Sequence, residues 1–211
     1  MHNQLIDNYI TAHISPEPPL LAKTYRDTHI HHLYPRMCSG HVQGRLLKML
    51  TSMIRPRRVL ELGAFTGYST LCIAEALESG AELHTVEIDD ELRDELLERF
   101  AQAPNGQCIT LHTGDALEIV PQLGGDWDMV FVDANKRHYP QYYTMLFPLV
   151  KPGGYILADN TLWDGKVAEV PQPTDAQSLG IMEFNDMVAA DSRVEVSILP
   201  VRDGLTLIRK K

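Results

Sequence analysis

An α/β fold on a doubly wound, mostly parallel sheet of seven strands is predicted by three features of the sequence. Short apolar runs alternate with amphipathic segments from Arg57 onward, the order of βαβ units. Several runs are apolar almost without a break, as strands covered on both faces are. The tail, "RVEVSILPVRDGLTLIRK" (193–210), departs from the alternation. It reads as two strands about a short turn at Asp203–Gly204 and adds an antiparallel element at the sheet edge.

In chain order, residues 1–56 read as helical, broken by "SPEPP" (15–19). In "HVQGRLLKMLTSMI" (41–54), Val42, Leu46, Leu50 and Met53 form one apolar stripe. Strands are predicted at "RRVLELG" (57–63), "ELHTVEI" (82–88), "QCITLHTGD" (107–115), "WDMVFVD" (127–133) and "GGYILADN" (153–160). Between the first three lie helical segments at 68–79 and 89–102, the second with Leu92, Leu96 and Phe100 at four-residue spacing. Pro140 suits the first turn of a further helix running to Val150, closed by "KPGG" (151–154). No repeat or long linker divides the chain, so one domain over 1–211 is expected.

Composition narrows the function. With 44% hydrophobic and 22% charged residues the chain can bury a core and stay soluble. A net charge of −9 makes it a poor general binder of nucleic acid. Cys38, Cys72 and Cys108 are an odd number without paired spacing, which suits reduced thiols. No signal segment and no 18-residue apolar stretch is seen, so a cytoplasmic protein without a membrane partner is expected.

Chemistry concentrates at predicted strand ends. "VLELGAFTGYST" (59–70) carries Gly63 and Gly67 where the first strand meets the first helix. Gly63 permits a tight turn, and Gly67 would let backbone approach a ligand. The pattern is E-x-G-x-x-x-G, not the G-x-G-x-x-G of dinucleotide sites. Glu87 ends the second strand, where an acid can accept both hydroxyls of a ribose. The bland alternative is a glycine turn with a solvated acid. Asp133 ends the fourth strand, and Asp159 with Asn160 ends the fifth. Two carboxylates and an amide are ligands for a hard cation that completes its shell with water or substrate oxygens. Lys136, three residues past Asp133, would there become a base. Alternatively Asp133 and Asp159 cap helices and Lys136 is a solvated charge.

From about Met37 onward the chain resembles the cation-dependent O-methyltransferases of the catechol and caffeoyl-CoA type, bacterial members included. The resemblance rests on "MCSGHVQG", "VLELGAFTGYSTL", "VEID", "WDMVFVDANK", "KPGGYILADNTLWDGKV" and "PVRDGLTLIRK", in that order. It implies a Rossmann-like class I methyltransferase fold, S-adenosylmethionine as methyl donor and Mg²⁺, or Mn²⁺ or Ca²⁺, as metal. It further implies that Glu61, Gly63 and Ser69 lie along the methionine part of the cofactor, with Ser39 near its carboxylate. Glu87 would hold the ribose, and Asp115 with Ala116 would border the adenine. Asp133, Asp159 and Asn160 would bind metal, Asp133 also bordering the cofactor, and Lys136 would be the base. Residues 1–56 would cover the cofactor and shape the substrate mouth, and a homodimer is implied. Where bacterial relatives read D-A-D-K, this chain reads "DANK", with Asn135.

A small ortho-dihydroxy aromatic is the expected acceptor. A 5-hydroxyuridine of transfer RNA would use the same site, and a basic patch of Arg26, Arg36, Arg45, Lys48, Arg55, Arg57 and Arg58 would favour it. A non-catalytic nucleoside-binding module is disfavoured by Lys136 and the metal set, and a dehydrogenase by the loop pattern. His29, His31, His32, Cys38 and His41 lack the spacing of a structural zinc site. Trp163 either walls the acceptor pocket or packs.

Overall fold

The computed structural model describes residues 4–170 and 172–211. These form one seven-stranded sheet from β1 (Arg58–Leu62), β2 (Glu82–Glu87), β3 (Ile109–Thr113), β4 (Trp127–Val132), β5 (Val150–Asp159), β6 (Val194–Leu199) and β7 (Leu205–Lys210). The order across the sheet is β3-β2-β1-β4-β5-β7-β6. Strands β1 to β5 pair in parallel. β7 is antiparallel to both β5 and β6, so it brings the antiparallel element to that end of the sheet. The chain leaves neighbouring β1 and β4 toward opposite edges, which opens a crevice beyond their carboxyl ends.

Helices cover both faces, which explains the uninterrupted apolar runs. On one face lie α2 (Pro19–His31), α3 (Gly40–Ile54), α4 (Tyr68–Ala74) and α5 (Arg93–Ala101). They pack Leu47, Leu71, Ile73 and Leu96 on Val59, Leu83, Met129 and Phe131. On the other lie α6 (Ala116–Ile119), α7 (Tyr139–Leu149) and α8 (Ala176–Ala190), packing Val120, Leu146, Ile181 and Phe184 on Leu60, Leu62, Val130 and Val132. Each fully buried aliphatic side chain contributes roughly 1.5–3 kcal/mol. Helix α1 (Gln4–His13) precedes them with Leu5, Ile6 and Tyr9 exposed. No helix of the described residues is long and apolar enough to cross a membrane. All three cysteines are free.

Three local readings change. The most buried line of α3 is Gln43, Gly44, Leu47 and Thr51 rather than the apolar stripe, and Met53 stays 73% exposed. The reason is close packing: a Cβ on Gly44 would stand 2.7 Å from Cys72 Sγ and 2.8 Å from the Tyr68 ring. Leu46 and Leu50 only flank that seam. Secondly, "KPGG" belongs to β5, which starts at Val150 and slips register opposite Trp127–Met129. Thirdly, α8 escaped the sequence reading. Its signal is present: Asp175 caps the Ser178 amide at 3.1 Å, and Ile181, Phe184 and Val188 form its buried line.

Candidate active site

A cavity of about 1240 Å³ opens at the carboxyl ends of β1, β2, β4 and β5. Its volume exceeds what one small ligand needs, so donor and acceptor can share it. Gly63 sets its floor. Its φ is +96°, and a Cβ there would meet the Asp133 carbonyl oxygen at 2.1 Å. Only glycine allows the turn after β1 to pass so close to the end of β4. At Gly67, φ +79°, a Cβ would strike Phe100 at 2.7 Å and Leu96 at 3.0 Å, so its bareness seats α5.

On one side of the floor stands Glu87, 7% exposed. Its carboxylate accepts from the Phe65 amide at 2.6 Å and the Asp89 amide at 2.9 Å. Both oxygens are oriented by backbone, and each keeps a lone pair, as recognition of a vicinal diol requires. Asp115 and Ala116 line the same side, with Asp115 capping the Leu117 amide at 2.9 Å. Ser39 and Ser69 are buried cavity-lining residues. From α2, buried Thr28 reaches Thr66 of the glycine loop, hydroxyl to hydroxyl, at 2.8 Å.

Glu61 is not in the cavity wall. It is fully buried behind the glycine loop, where Oε2 accepts from Thr70 and Thr85. Burial pushes its carboxyl up to about 7, against the pull of these hydroxyls and of Ser69. Oε1 has no partner.

On the other side, the ends of β4 and β5 bring Asp133, Lys136, Asp159 and Asn160 into the cavity lining. Lys136, 6% exposed, donates from Nζ to Asp133 Oδ1 at 2.6 Å and to the Tyr139 hydroxyl at 2.9 Å. Tyr139 is buried against the carbonyls of Val132 and Asp159, its oxygen 3.0 and 2.9 Å from them. Asp159 accepts from Gln43 Nε2 at 2.6 Å and from the Asn160 amide at 2.8 Å. Burial, with Asp133 beside it, pushes the Asp159 carboxyl up to about 6. Asn160 sits at φ 56°, a left-handed position that asparagine tolerates better than most residues. Asn135 caps the turn carrying Lys136, its side-chain oxygen 3.2 Å from the Arg137 amide. The amide thus serves the cap that a carboxylate would.

The donor set suits a hard divalent cation. Burial and the neighbouring Asp133 carboxylate make the ionised form of Asp159 costly, and a cation beside it would relieve that cost. Among the described residues no three His, Cys, Asp or Glu side chains gather into a metal-binding group, so the set rests on two acids and the Asn160 amide. The histidines do not converge. His29 Nδ1 faces the Tyr25 carbonyl, His41 Nε2 the Ser15 carbonyl and His32 the Glu95 carboxylate. Trp163 both lines the cavity and packs on the core. Gln43 and Tyr139 were not singled out in the sequence. Neither sits at a strand end, and only the fold brings them to Asp159.

The profile of the O-methyltransferase family matches residues 11–211. The caffeoyl-CoA O-methyltransferase of Petroselinum crispum is 35% identical over 93% of this chain and 86% of its own length. Caffeoyl-CoA O-methyltransferase 1 of Eucalyptus globulus is 34% identical over 98% of this chain and 88% of its own. Among solved structures, the O-methyltransferase TomG of Streptomyces achromogenes, in complex with SAM, superposes with a TM-score of 0.90 at 32% identity, covering 98% of this chain and 96% of that one. The O-methyltransferase of Bacillus cereus in complex with SAH gives a TM-score of 0.90 at 27% identity, covering 98% and 97%. These likenesses make the chain a member of the O-methyltransferase family, an S-adenosylmethionine-dependent enzyme of the caffeoyl-CoA O-methyltransferase type.

Proposed function

We propose that the chain methylates one hydroxyl of a small ortho-dihydroxy aromatic, of catechol or caffeoyl type, in a reaction that requires a divalent cation. The observation that carries this reading is the meeting of Asp133, Asp159, Asn160 and Lys136 in the cavity that also holds Glu87 and Asp115. S-adenosylmethionine supplies an electrophilic methyl group. Asp133, Asp159 and Asn160 would hold a divalent cation, Mg²⁺ or alternatively Mn²⁺ or Ca²⁺, whose charge would make the acceptor hydroxyl more acidic. Glu87 takes the ribose hydroxyls, Asp115 and Ala116 border the adenine, and Ser39, Gly63 and Ser69 frame the amino-acid end, with Glu61 behind them. Lys136 receives the acceptor's proton at Nζ. Asp133 Oδ1 at 2.6 Å and the Tyr139 hydroxyl at 2.9 Å hold that nitrogen in place. The segment from His31 to Ser39 roofs the cavity, and Trp163 walls the acceptor. Holding acceptor and methyl in line supplies most of the acceleration.

Transfer RNA is the weaker acceptor. Of the basic residues that might have formed a patch, Arg45 and Lys48 pair with Glu75, Arg55 with Glu78 and Arg58 with Glu82. The deciding test is a methyl-transfer screen of catechols, caffeoyl thioesters and undermodified tRNA, with Mg²⁺ and with excess chelator, beside calorimetry of S-adenosylhomocysteine and NAD. Transfer to a catechol or caffeoyl thioester that chelator abolishes is expected. Methyl entering tRNA alone, or full activity in chelator, overturns the acceptor or the metal respectively.

A homodimer in a reducing, cytoplasmic setting completes the proposal. Leu5, Ile6 and Tyr9 of α1 and Met49 and Met53 of α3 are exposed apolar side chains that a second copy would cover. Light scattering at micromolar concentration should give twice the chain mass. A monomer mass refutes the dimer.

A further inference from the structure

The turn between β6 and β7 contains an arginine where its backbone favours glycine. Arg202 has φ 50°, in the left-handed region that costs residues with a Cβ. Its guanidinium reaches across the mouth of the crevice to the segment that precedes α3. Nη1 donates to the Cys38 carbonyl at 3.0 Å, to the Ser39 carbonyl and to Gln43 Oε1 at 3.1 Å. Nη2 donates to the Arg36 carbonyl at 3.2 Å. Arg36, Cys38 and Ser39 all line the cavity. Gln43 passes the constraint inward: with Oε1 held by Arg202, its Nε2 is directed to Asp159 Oδ2 at 2.6 Å. The same turn grips the other wall. The carbonyls of Asp203 and Gly204 accept from the Leu162 and Thr161 amides at 2.8 and 3.2 Å, and Asp203 Oδ1 accepts from the Asp164 amide.

We propose that Arg202 is a positioning residue, fastening the cavity roof Arg36–Ser39 and, through Gln43, the Asp159 carboxylate, so that one turn sets both the cofactor side and the acceptor side. The inference rests on the methyltransferase reading only for the ligand used below. A planar guanidinium suits the task. Its rigid fork presents Nη1 and Nη2 to different acceptors at once, a wider span than the single nitrogen of a lysine offers. Among the described residues no acid pairs with Arg202, so the charge is given to backbone and amide oxygens.

Arg202→Gly separates this role from mere tolerance, because glycine relieves the turn while removing the fork. Two readouts are taken on the intact chain. The first is hydrogen exchange of the Met37 and Cys38 amides, which bond to the Tyr34 and Pro35 carbonyls at 3.1 Å each. The second is affinity for S-adenosylhomocysteine by calorimetry. The expected result is roughly tenfold faster exchange and roughly tenfold weaker binding, the scale of a lost charge-assisted hydrogen bond, with no fall in thermal midpoint. Arg202→Lys should lie between the two proteins. Exchange within about twofold of the parent in the glycine variant overturns the proposal. Absence of cofactor binding by the parent chain sinks the methyltransferase reading instead, and the exchange arm still decides the role of Arg202.

Discussion

Lys136→Ala is expected to cut turnover by about 10²–10⁴-fold, the usual contribution of a positioned base, with affinity for S-adenosylhomocysteine nearly intact. The fold should survive the change. Tyr139 keeps its contacts with the Val132 and Asp159 carbonyls, and the cap made by Asn135 does not use the lysine side chain. What is lost is the one lysine amine among the described residues that line the cavity. Part of the rate should return at alkaline pH, where hydroxide or an ionised acceptor replaces the base. Lys136→Arg should fail as fully as the alanine variant, because guanidinium stays protonated. Steady-state rates across pH check both. Near-normal turnover in the arginine variant would mean that the site asks only for positive charge, and the base assignment would fall.

The second large effect is expected at Asp159. Asp159→Ala should lower transfer by about 10³-fold or more, since a cation's charge stabilisation is worth several kcal/mol and each 1.36 kcal/mol is tenfold in rate. S-adenosylhomocysteine should still bind, because the Glu87 side of the crevice is untouched. Stability moves separately. Without a bound cation, the folded pKa of Asp159, about 6, lies above its ordinary value of 3.8, so the folded state holds the proton more tightly than the unfolded chain. That stabilisation is complete below pH 3.8 and is lost as pH rises through about 6. Asp159→Asn removes the titrating group and should flatten this part of the stability profile while still losing transfer. Thermal melts across pH, set beside transfer assays, separate the two. An Asp159→Asn enzyme with parental turnover would remove Asp159 from the proposed metal set.

Strand ends were the legible part of this site. Asp133, Asp159 and Glu87 close apolar runs, and in a parallel sheet such residues must emerge on one edge. Position in the sheet, not residue type alone, made them candidates. What escaped reading are the partners that hold them. Gln43 sits on the buried line of a helix where periodicity looks for leucine, and Arg202 is one of 19 cations in a turn of ordinary appearance. Tyr139 reads as one aromatic among several in "RHYPQYY". The roles of Gln43 and Arg202 depend on contacts between residues more than a hundred positions apart, Gln43 to Asp159 and Arg202 to Ser39. Glu61 shows the converse. Its motif marked it as a cofactor neighbour, yet only the packing of α4 on β1 shows that it stands behind the wall with a hydroxyl cradle of its own.

The place of β7 has a consequence for assembly. β6 touches the sheet through β7 alone, although β6 comes first in the chain. It therefore has no strand to pair with until the strand after it has formed, and the two must zip together locally before, or while, they close onto β5. Local hairpins form quickly, whereas pairing with a distant strand carries the entropy of closing the intervening loop. The hairpin tip carries Arg202 and Asp203, the groups that reach the roof and the loop after β5. Seating the hairpin thus delivers the last clasps of the crevice, and a chain whose hairpin has not yet docked has neither the segment before α3 nor the loop after β5 pinned in place.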